Sequence, residues 1–233
     1  MSLAPQDGLD PAAAQVIESV TGFRPQANLR ETLCKLPAQS ETRNSITTDL
    51  QFFRSLALQF EARSPLFNGR TGRVQQLVLD TNRMAGSPVD AVQLETAACM
   101  HDVGMMFLPE SVWLKVGNMS EEERRLLHAH PDFGAGLLER MANWKPAAEM
   151  VRQHHEMPDG AGYPNGLPGS RICPGAKILA IADAFEAVML KHHARGHKRS
   201  VLRAVAEVNA CNNQFAPEWI EPFNSVIRRM VEQ

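Results

Sequence analysis

The sequence lacks the features that mark several specialised classes of protein. Its formal net charge is only −2 at pH 7, so it has no basic surplus of the kind that binds a nucleic-acid polymer. No apolar run approaches the ~20 residues needed to span a bilayer, and the first residues lack the basic-then-apolar pattern of a signal peptide. We therefore expect a cytoplasmic protein of ordinary globular composition, with 44% hydrophobic and 21% charged residues.

Cysteine is also scarce, and its placement argues against two common roles. Cys34, Cys99, Cys173 and Cys211 are scattered along the chain and form no C-x-x-C pair. Closely spaced thiols are typical of a zinc knuckle, and a dense disulfide framework is typical of small secreted domains. The sequence therefore predicts buried or idle thiols in a reducing cytosol.

Strand-like alternation of polar and apolar residues is almost absent, and helical periodicity takes its place. From Ile46 onward, apolar residues such as Phe53 and Phe60 recur at steps of three and four. Gly86 is expected to end one helix, with Ser87 and the proline after it beginning the next. The sequence therefore predicts an all-α fold, a helical bundle with ligands on facing helices.

The 233 residues divide unequally. Residues 1–45 contain two short stretches of helical pattern, at 11–20 and 29–36, and then a linker-like run. We interpret them as an N-terminal extension or a fragment of a preceding region. Residues 46–233 are predicted to form the main helical domain, with its motifs concentrated between about residues 65 and 190.

Metal-binding residue types are concentrated in the segment from His154 to Pro164. His154 and His155 are adjacent at the end of a predicted helix, and a loop rich in glycine and proline follows. Neighbouring imidazoles are neutral nitrogen ligands, and a helix end can direct both at one ion. The loop must turn at Gly162 and Pro164, and Tyr163 adds a flat apolar face with a polar tip. The segment therefore predicts a metal site beside a substrate-binding loop.

Three further motifs identify a family resemblance. The segment matches the H-H-E-x-x-D-G-x-G-Y-P motif of HD-GYP proteins at every fixed position, and His101-Asp102 matches their HD pair. His130 begins their H-P-x-x-G motif, and Asp183 matches their late aspartate. The chain thus resembles the HD-GYP branch of the HD phosphohydrolase superfamily. The resemblance implies an HD-domain-like helical bundle in bacterial signal transduction, which hydrolyses cyclic di-GMP to pGpG and GMP by a metal-activated water.

The resemblance also implies two metals that share one aspartate. One metal takes the ligands Asp102, His130, His154 and His155. The other takes His101, Asp102, Asp183 and an early histidine, but Arg70 stands at the position of that histidine. A guanidinium stays protonated and has no lone pair for a metal. We therefore expect one strong metal position and a second position that is weak or empty.

The remaining site predictions concern the metal and the substrate. Imidazole and carboxylate ligands without thiolate favour iron or manganese, with zinc and nickel as alternatives. His101 and Asp102 are the predicted catalytic pair. Met105 replaces the lysine usual after the HD pair, so Arg70 is predicted to bind phosphate in its place. The predicted substrate-binding residues are Arg70, Gly162, Tyr163 and Pro164.

Several alternatives remain open on the sequence alone. The chain can be a degenerate HD-GYP module that binds metal, with or without cyclic di-GMP, and acts through a signalling protein partner without turnover. It can also hydrolyse another small nucleotide or related phosphodiester, because a fold does not fix a substrate. Arg70 is as compatible with a plain surface position as with the site, and His128 is expected in solvent at a helix end. The basic residues at 191–199 are expected to form a solvated face.

Overall fold

The computed structural model describes residues 43–115, 117–194, 201–211 and 213–232. Within these ranges the chain forms ten α-helices and two 3-10 turns, and its β-structure is limited to an isolated bridge between Asp159 and Pro168. The predicted all-α fold is confirmed. The helices are α1 (Arg43–Glu61), α2 (Arg70–Met84), α3 (Ala91–Met100), α4 (Glu110–Trp113), α5 (Glu121–Leu127), α6 (His130–Glu139), α7 (Lys145–Gln153), α8 (Pro174–Ala194), α9 (Val201–Ala210) and α10 (Pro217–Glu232).

Some predictions fall outside this description. The two helices predicted at 11–20 and 29–36 lie outside the described residues, and so do Cys34 and the side chains of the basic stretch at 191–199. The division at residue 45 stays a prediction, although α1 already begins at Arg43. In the part of the chain that is described, no helix is both long enough and apolar enough to cross a membrane.

The centre of the bundle is formed by helices that pack around α2 and α3. Helix α2 packs against α3, α8 and α10, and α3 packs in turn against α1 and α7. Helix α6 lies along α7 and contacts the 3-10 turn Val103–Phe107. Fully buried apolar side chains fill the space between these helices, among them Val74, Val78, Leu94, Val151 and Leu179. This packing brings the start of α2, the ends of α3 and α7 and the start of α6 to one place.

The start of α3 differs from the prediction. Asp90 is the N-cap, and the backbone N–H of Gln93 donates to its side chain at 2.9 Å. Ser87 has φ 59°, a left-handed conformation, whereas an N-cap residue is typically extended. The prediction of Ser87 as the cap is therefore wrong, while Gly86, with φ 85°, follows the end of α2 as expected.

The difference in burial between two leucines predicts a difference in their contributions to stability. Leu138 on α6 has no exposed surface, whereas Leu58 on α1 is 63% exposed. Replacing Leu138 with alanine is expected to lower the free energy of unfolding by about 2–5 kcal/mol, because the change removes apolar contacts and leaves a cavity. The same replacement at Leu58 should stay within about 0.5 kcal/mol of wild type. Urea denaturation measures both, and equal losses in the two variants would contradict this packing.

Candidate metal centre

All six predicted metal ligands meet where the helix ends converge. His130 is the first residue of α6, and His101 and His154 directly follow the last residues of α3 and α7. The ligand atoms lie within 4.8 Å of one another in each of two groups, one of Asp102, His130, His154 and His155, the other of His101, Asp102 and Asp183. Asp102 belongs to both groups, so its carboxylate lies between two potential cation positions.

Three imidazoles are oriented by the backbone of their own chain segment. In each case Nδ1 donates to the carbonyl oxygen three residues earlier, that of Ala98 for His101 (2.8 Å), Leu127 for His130 (2.7 Å) and Val151 for His154 (2.6 Å). In a neutral imidazole this bond assigns the hydrogen to Nδ1 and leaves the lone pair on Nε2. A hydrogen bond donated by the ring nitrogen that does not face the metal is the usual support of a metal-ligating histidine.

The first group fits a divalent metal. Nε2 of His130 lies 3.4 Å from Nε2 of His154 and 3.6 Å from Oδ1 of Asp102. Two lone pairs that face each other at this distance are unfavourable unless a proton or a cation lies between them. Three imidazoles and a carboxylate are also a donor set that first-row divalent metals accept. The residues of this group therefore fit one metal ion.

Burial keeps the histidines of the first group neutral. It lowers the pKa of His130, and it lowers the pKa of His154 well below the ordinary value, with neighbouring imidazoles adding to the effect. Burial also lowers the pKa of His155, to about 4. All three imidazoles therefore offer lone pairs at neutral pH, where an ordinary histidine is still partly protonated.

The second group already contains a cation, the guanidinium of Arg70. Nη1 of Arg70 donates to Oδ2 of Asp102, and Nη2 donates to Oδ1 of Asp183. Nη1 also lies 3.2 Å from Nε2 of His101. Arg70 is only 7% exposed, so the alternative of a surface arginine is wrong. Arg70 therefore supplies the counter-charge of the buried Asp183.

In the second group, burial and neighbouring charges shift the pKa values of the two carboxyl groups in opposite directions, and the charges have the larger effect. Burial disfavours an ionised Asp102, yet His101 and Arg70 hold its pKa well below the usual range. Burial is also outweighed at Asp183, whose pKa is lowered chiefly by Arg70. The same carboxylates raise the pKa of Arg70 above its ordinary value, against the effect of burial. Both carboxylates and the guanidinium are therefore charged at neutral pH.

The loop after His155 folds back on the ligands. A Cβ at Gly162 would lie 2.3 Å from the backbone nitrogen of Met157 and 2.5 Å from Cα of Glu156, so only glycine fits there. The backbone N–H of Tyr163 donates to the carbonyl oxygen of His155 at 3.1 Å. The turn thus places Gly162, Tyr163 and the following proline directly beside a metal ligand.

Tyr163 lies between two imidazoles. Its ring is stacked on His128, with centroids 3.8 Å apart, and on His155, with centroids 4.7 Å apart. Two imidazoles at these distances do not fit side by side over one phenol face, so they cover opposite faces. The expectation of a solvated His128 is therefore wrong, because this side chain is half-buried against Tyr163. The faces of the Tyr163 ring are therefore already covered by side chains of the chain itself.

Sequence reasoning missed two buried glutamates that support the site. Glu156 accepts from the backbone N–H of Asn165 (2.7 Å) and of Leu167 (2.8 Å), and thereby closes the loop. Glu61 accepts from the backbone N–H of Gly69 (3.0 Å) and of Thr71, at the start of α2. Glu156 stands at a fixed position of the loop motif, which was the available signal. Glu61 offered none, because an acid at a helix end is common.

Met105 takes part in apolar packing. It is half-buried against an apolar cluster that contains Phe60, Leu108 and Trp113. A thioether suits such a cluster, because it is flexible and apolar. The residue that replaces the lysine therefore contributes to packing.

Comparison with known proteins gives matches across this helical region. The model of the HD domain family matches residues 57–218, a wider span than the predicted motif core. The chain is 41% identical over 98 residues to the cyclic di-GMP phosphodiesterase response regulator RpfG of Xanthomonas campestris pv. campestris (strain 8004), covering 41% of this chain and 26% of that protein. It is 34% identical over 151 residues to the 3'3'-cGAMP-specific phosphodiesterase 2 of Vibrio cholerae serotype O1, covering 62% and 28%.

A solved structure shares the fold. The HDG"Y"P protein Bd1817 from Bdellovibrio bacteriovorus superposes with a TM-score of 0.58 at 18% identity, covering 97% of this chain and 75% of that chain. At this identity the likeness concerns the fold alone. The chain also spans less than a third of the length of each of the two relatives named above.

Proposed function

Because the chain belongs to the HD domain family, in its HD-GYP branch, we propose that it is a metal-dependent phosphodiesterase that hydrolyses cyclic di-GMP to pGpG and GMP. One observation carries this proposal, namely the convergence of four ligand atoms, from Asp102, His130, His154 and His155, within 4.8 Å of one another. The substrate is inferred from relatives of which this chain spans only a part.

The first group of residues would hold the metal, with iron or manganese best suited to its imidazole and carboxylate donors and zinc or nickel as alternatives. When bound, the metal would activate water as the nucleophile and offset charge on the phosphate oxygens. The protein orients the donors, because the Nδ1 bonds of His130 and His154 direct their lone pairs inward. Asp102 would contact the metal through Oδ1, while His101 lies at the Oδ2 side of the same carboxylate, 3.2 Å away.

The substrate would bind beside this group, along the loop of Gly162, Tyr163 and Pro164. The loop carries no charge of its own, so it suits the uncharged parts of a nucleotide. The predicted phosphate contact of Arg70 stays a prediction, because both terminal nitrogens of Arg70 already bind carboxylates and its Nε is buried without a partner.

Two alternatives each have an observation in their favour. The occupation of the second group by Arg70 favours a degenerate module that binds metal and cyclic di-GMP without turnover. The relative from Vibrio cholerae is named for 3'3'-cGAMP, which favours hydrolysis of another cyclic dinucleotide. The cytoplasmic location and a signalling protein partner stay predictions.

The test is hydrolysis under defined metal conditions. Protein loaded anaerobically with manganese or ferrous iron is incubated with cyclic di-GMP and, separately, with 3'3'-cGAMP, and products are separated by ion-exchange chromatography. We expect pGpG from cyclic di-GMP, and no product after treatment with a chelator. Binding of both nucleotides without product would support the degenerate module. Turnover of 3'3'-cGAMP alone would replace the proposed substrate.

A further inference from the structure

The second group of ligands does not fit a metal in this chain. The resemblance implies a cation between His101, Asp102 and Asp183, and Arg70 already lies there. It forms ion pairs with both carboxylates through its two terminal nitrogens. The arginine, Asp102 and Asp183 each have side chains no more than 10% exposed. A second ion would have to displace a buried, doubly paired guanidinium.

Asp102 divides its two oxygens between the two groups. Oδ1 faces the metal-fitting side, 3.6 Å from Nε2 of His130. Oδ2 accepts from Arg70 and lies 3.2 Å from Nε2 of His101. Asp102 thus places one oxygen on each side, and the cation on its Oδ2 side is the guanidinium of Arg70.

The start of α2 holds Arg70 in this position. Arg70 is the first residue of the helix, after Gly69, whose φ of 70° is left-handed. Glu61 accepts from the backbone N–H groups on both sides of Arg70, those of Gly69 and Thr71. The ring of Phe67 lies 6.0 Å from the guanidinium carbon, within the range of a cation–π contact. The backbone of Arg70 is therefore fixed by groups that do not take part in the ion pairs.

We infer that Arg70 is a built-in cation that replaces the second metal, so that each chain binds a single divalent ion at Asp102, His130, His154 and His155. This inference rests on the proposed metal site and deepens it. The guanidinium of Arg70 pairs with both carboxylates, as an ion would, but it carries one positive charge where a divalent ion carries two, and it cannot bind a water molecule as a ligand. The remaining metal is therefore the only one available to activate water.

The inference is tested by counting metals. At saturating manganese(II), the wild type is expected to bind one ion per chain by elemental analysis, and its electron paramagnetic resonance spectrum should show the resolved hyperfine lines of isolated manganese(II). Replacing Arg70 with histidine removes the guanidinium and adds a neutral nitrogen ligand. The variant Arg70→His is expected to bind two ions per chain and to give the broadened spectrum of an exchange-coupled pair.

A matched control lies one turn along the same helix. Arg73 pairs with Glu186 at 2.8 Å and with the carbonyl oxygen of Asn68 at 2.9 Å, so Arg73→His should leave the count at one. Two ions per chain in the wild type, or one per chain in Arg70→His, would overturn this inference but would not contradict the proposed hydrolytic function. A wild type that binds no ion would overturn the proposed metal site as well. The wild-type count is decisive even where the variant fails to fold.

Discussion

Replacing His154 with alanine is expected to weaken metal binding by at least about 100-fold, because loss of a group that only hydrogen-bonds to a ligand already costs about 10–100-fold, and a direct ligand contributes more. His154 is 1% exposed, and its Nε2 lies 3.4 Å from that of His130. Without His154, the first group keeps only the ligand atoms of Asp102, His130 and His155. Under the proposed function, hydrolysis of cyclic di-GMP should fall at least as far, because the bound metal would activate the water.

Thermal unfolding with and without manganese measures the first effect. A metal at 100 times its dissociation constant stabilises the folded protein by about 2.7 kcal/mol, so the wild type should melt at a higher temperature when manganese is added. The variant should show no such shift. Arg152→Ala is the matched control two positions earlier, at the end of α7, because the ion pairs of Arg152 with Asp132 and Glu139 lie at the surface. A manganese shift of wild-type size in His154→Ala would refute the assigned ligand set.

The second large effect is expected at Gly104, which follows the HD pair. A Cβ at this position would lie 2.0 Å from the carbonyl oxygen of His130 and 2.8 Å from the backbone nitrogen of Gly134. Backbone atoms cannot move aside as a flexible side chain does. Gly104→Ala is therefore expected to cost about 3 kcal/mol or more of stability and to displace His130 from the metal group.

Gly136 is the control for this substitution. It lies in the same helix as His130, and a Cβ there would meet no atom within 4 Å. Gly136→Ala should raise stability by about 0.4–1 kcal/mol, because alanine restricts the unfolded chain. Chemical denaturation and manganese titration of both variants check the pair. A Gly104→Ala protein with wild-type stability and metal affinity would show that α6 does not approach the 3-10 turn so closely.

Much of the fold and of the metal group was predictable because it depends on local pattern. Helical periodicity identified an all-α chain, since one face of each helix must be apolar to pack. All predicted ligands except Asp183, which lies inside α8, are at or beside helix ends, where a motif fixes both the turn and the histidine. The Nδ1 bonds reinforce this, because each joins a histidine to a residue only three positions earlier.

Other features depended on contacts between distant residues. Tyr163 was predicted to add a flat apolar face to the substrate-binding loop, but His128 and His155 cover its ring. Glu61 gave no signal in sequence, although it accepts from the N–H groups that flank Arg70. A buried polar group is satisfied by whatever the fold brings near it. Periodicity and spacing carry no information about that partner.

By itself, the sequence determined that this chain is a helical bundle and that it contains three histidines and one aspartate in a metal-ligand pattern. It also determined that an arginine stands where a ligand was expected. Only the tertiary structure decided where that arginine lies. The ion pair of Arg70 with Asp183 joins residues 113 positions apart. It forms because a buried carboxylate and a buried guanidinium each need a counter-charge, and each supplies it to the other.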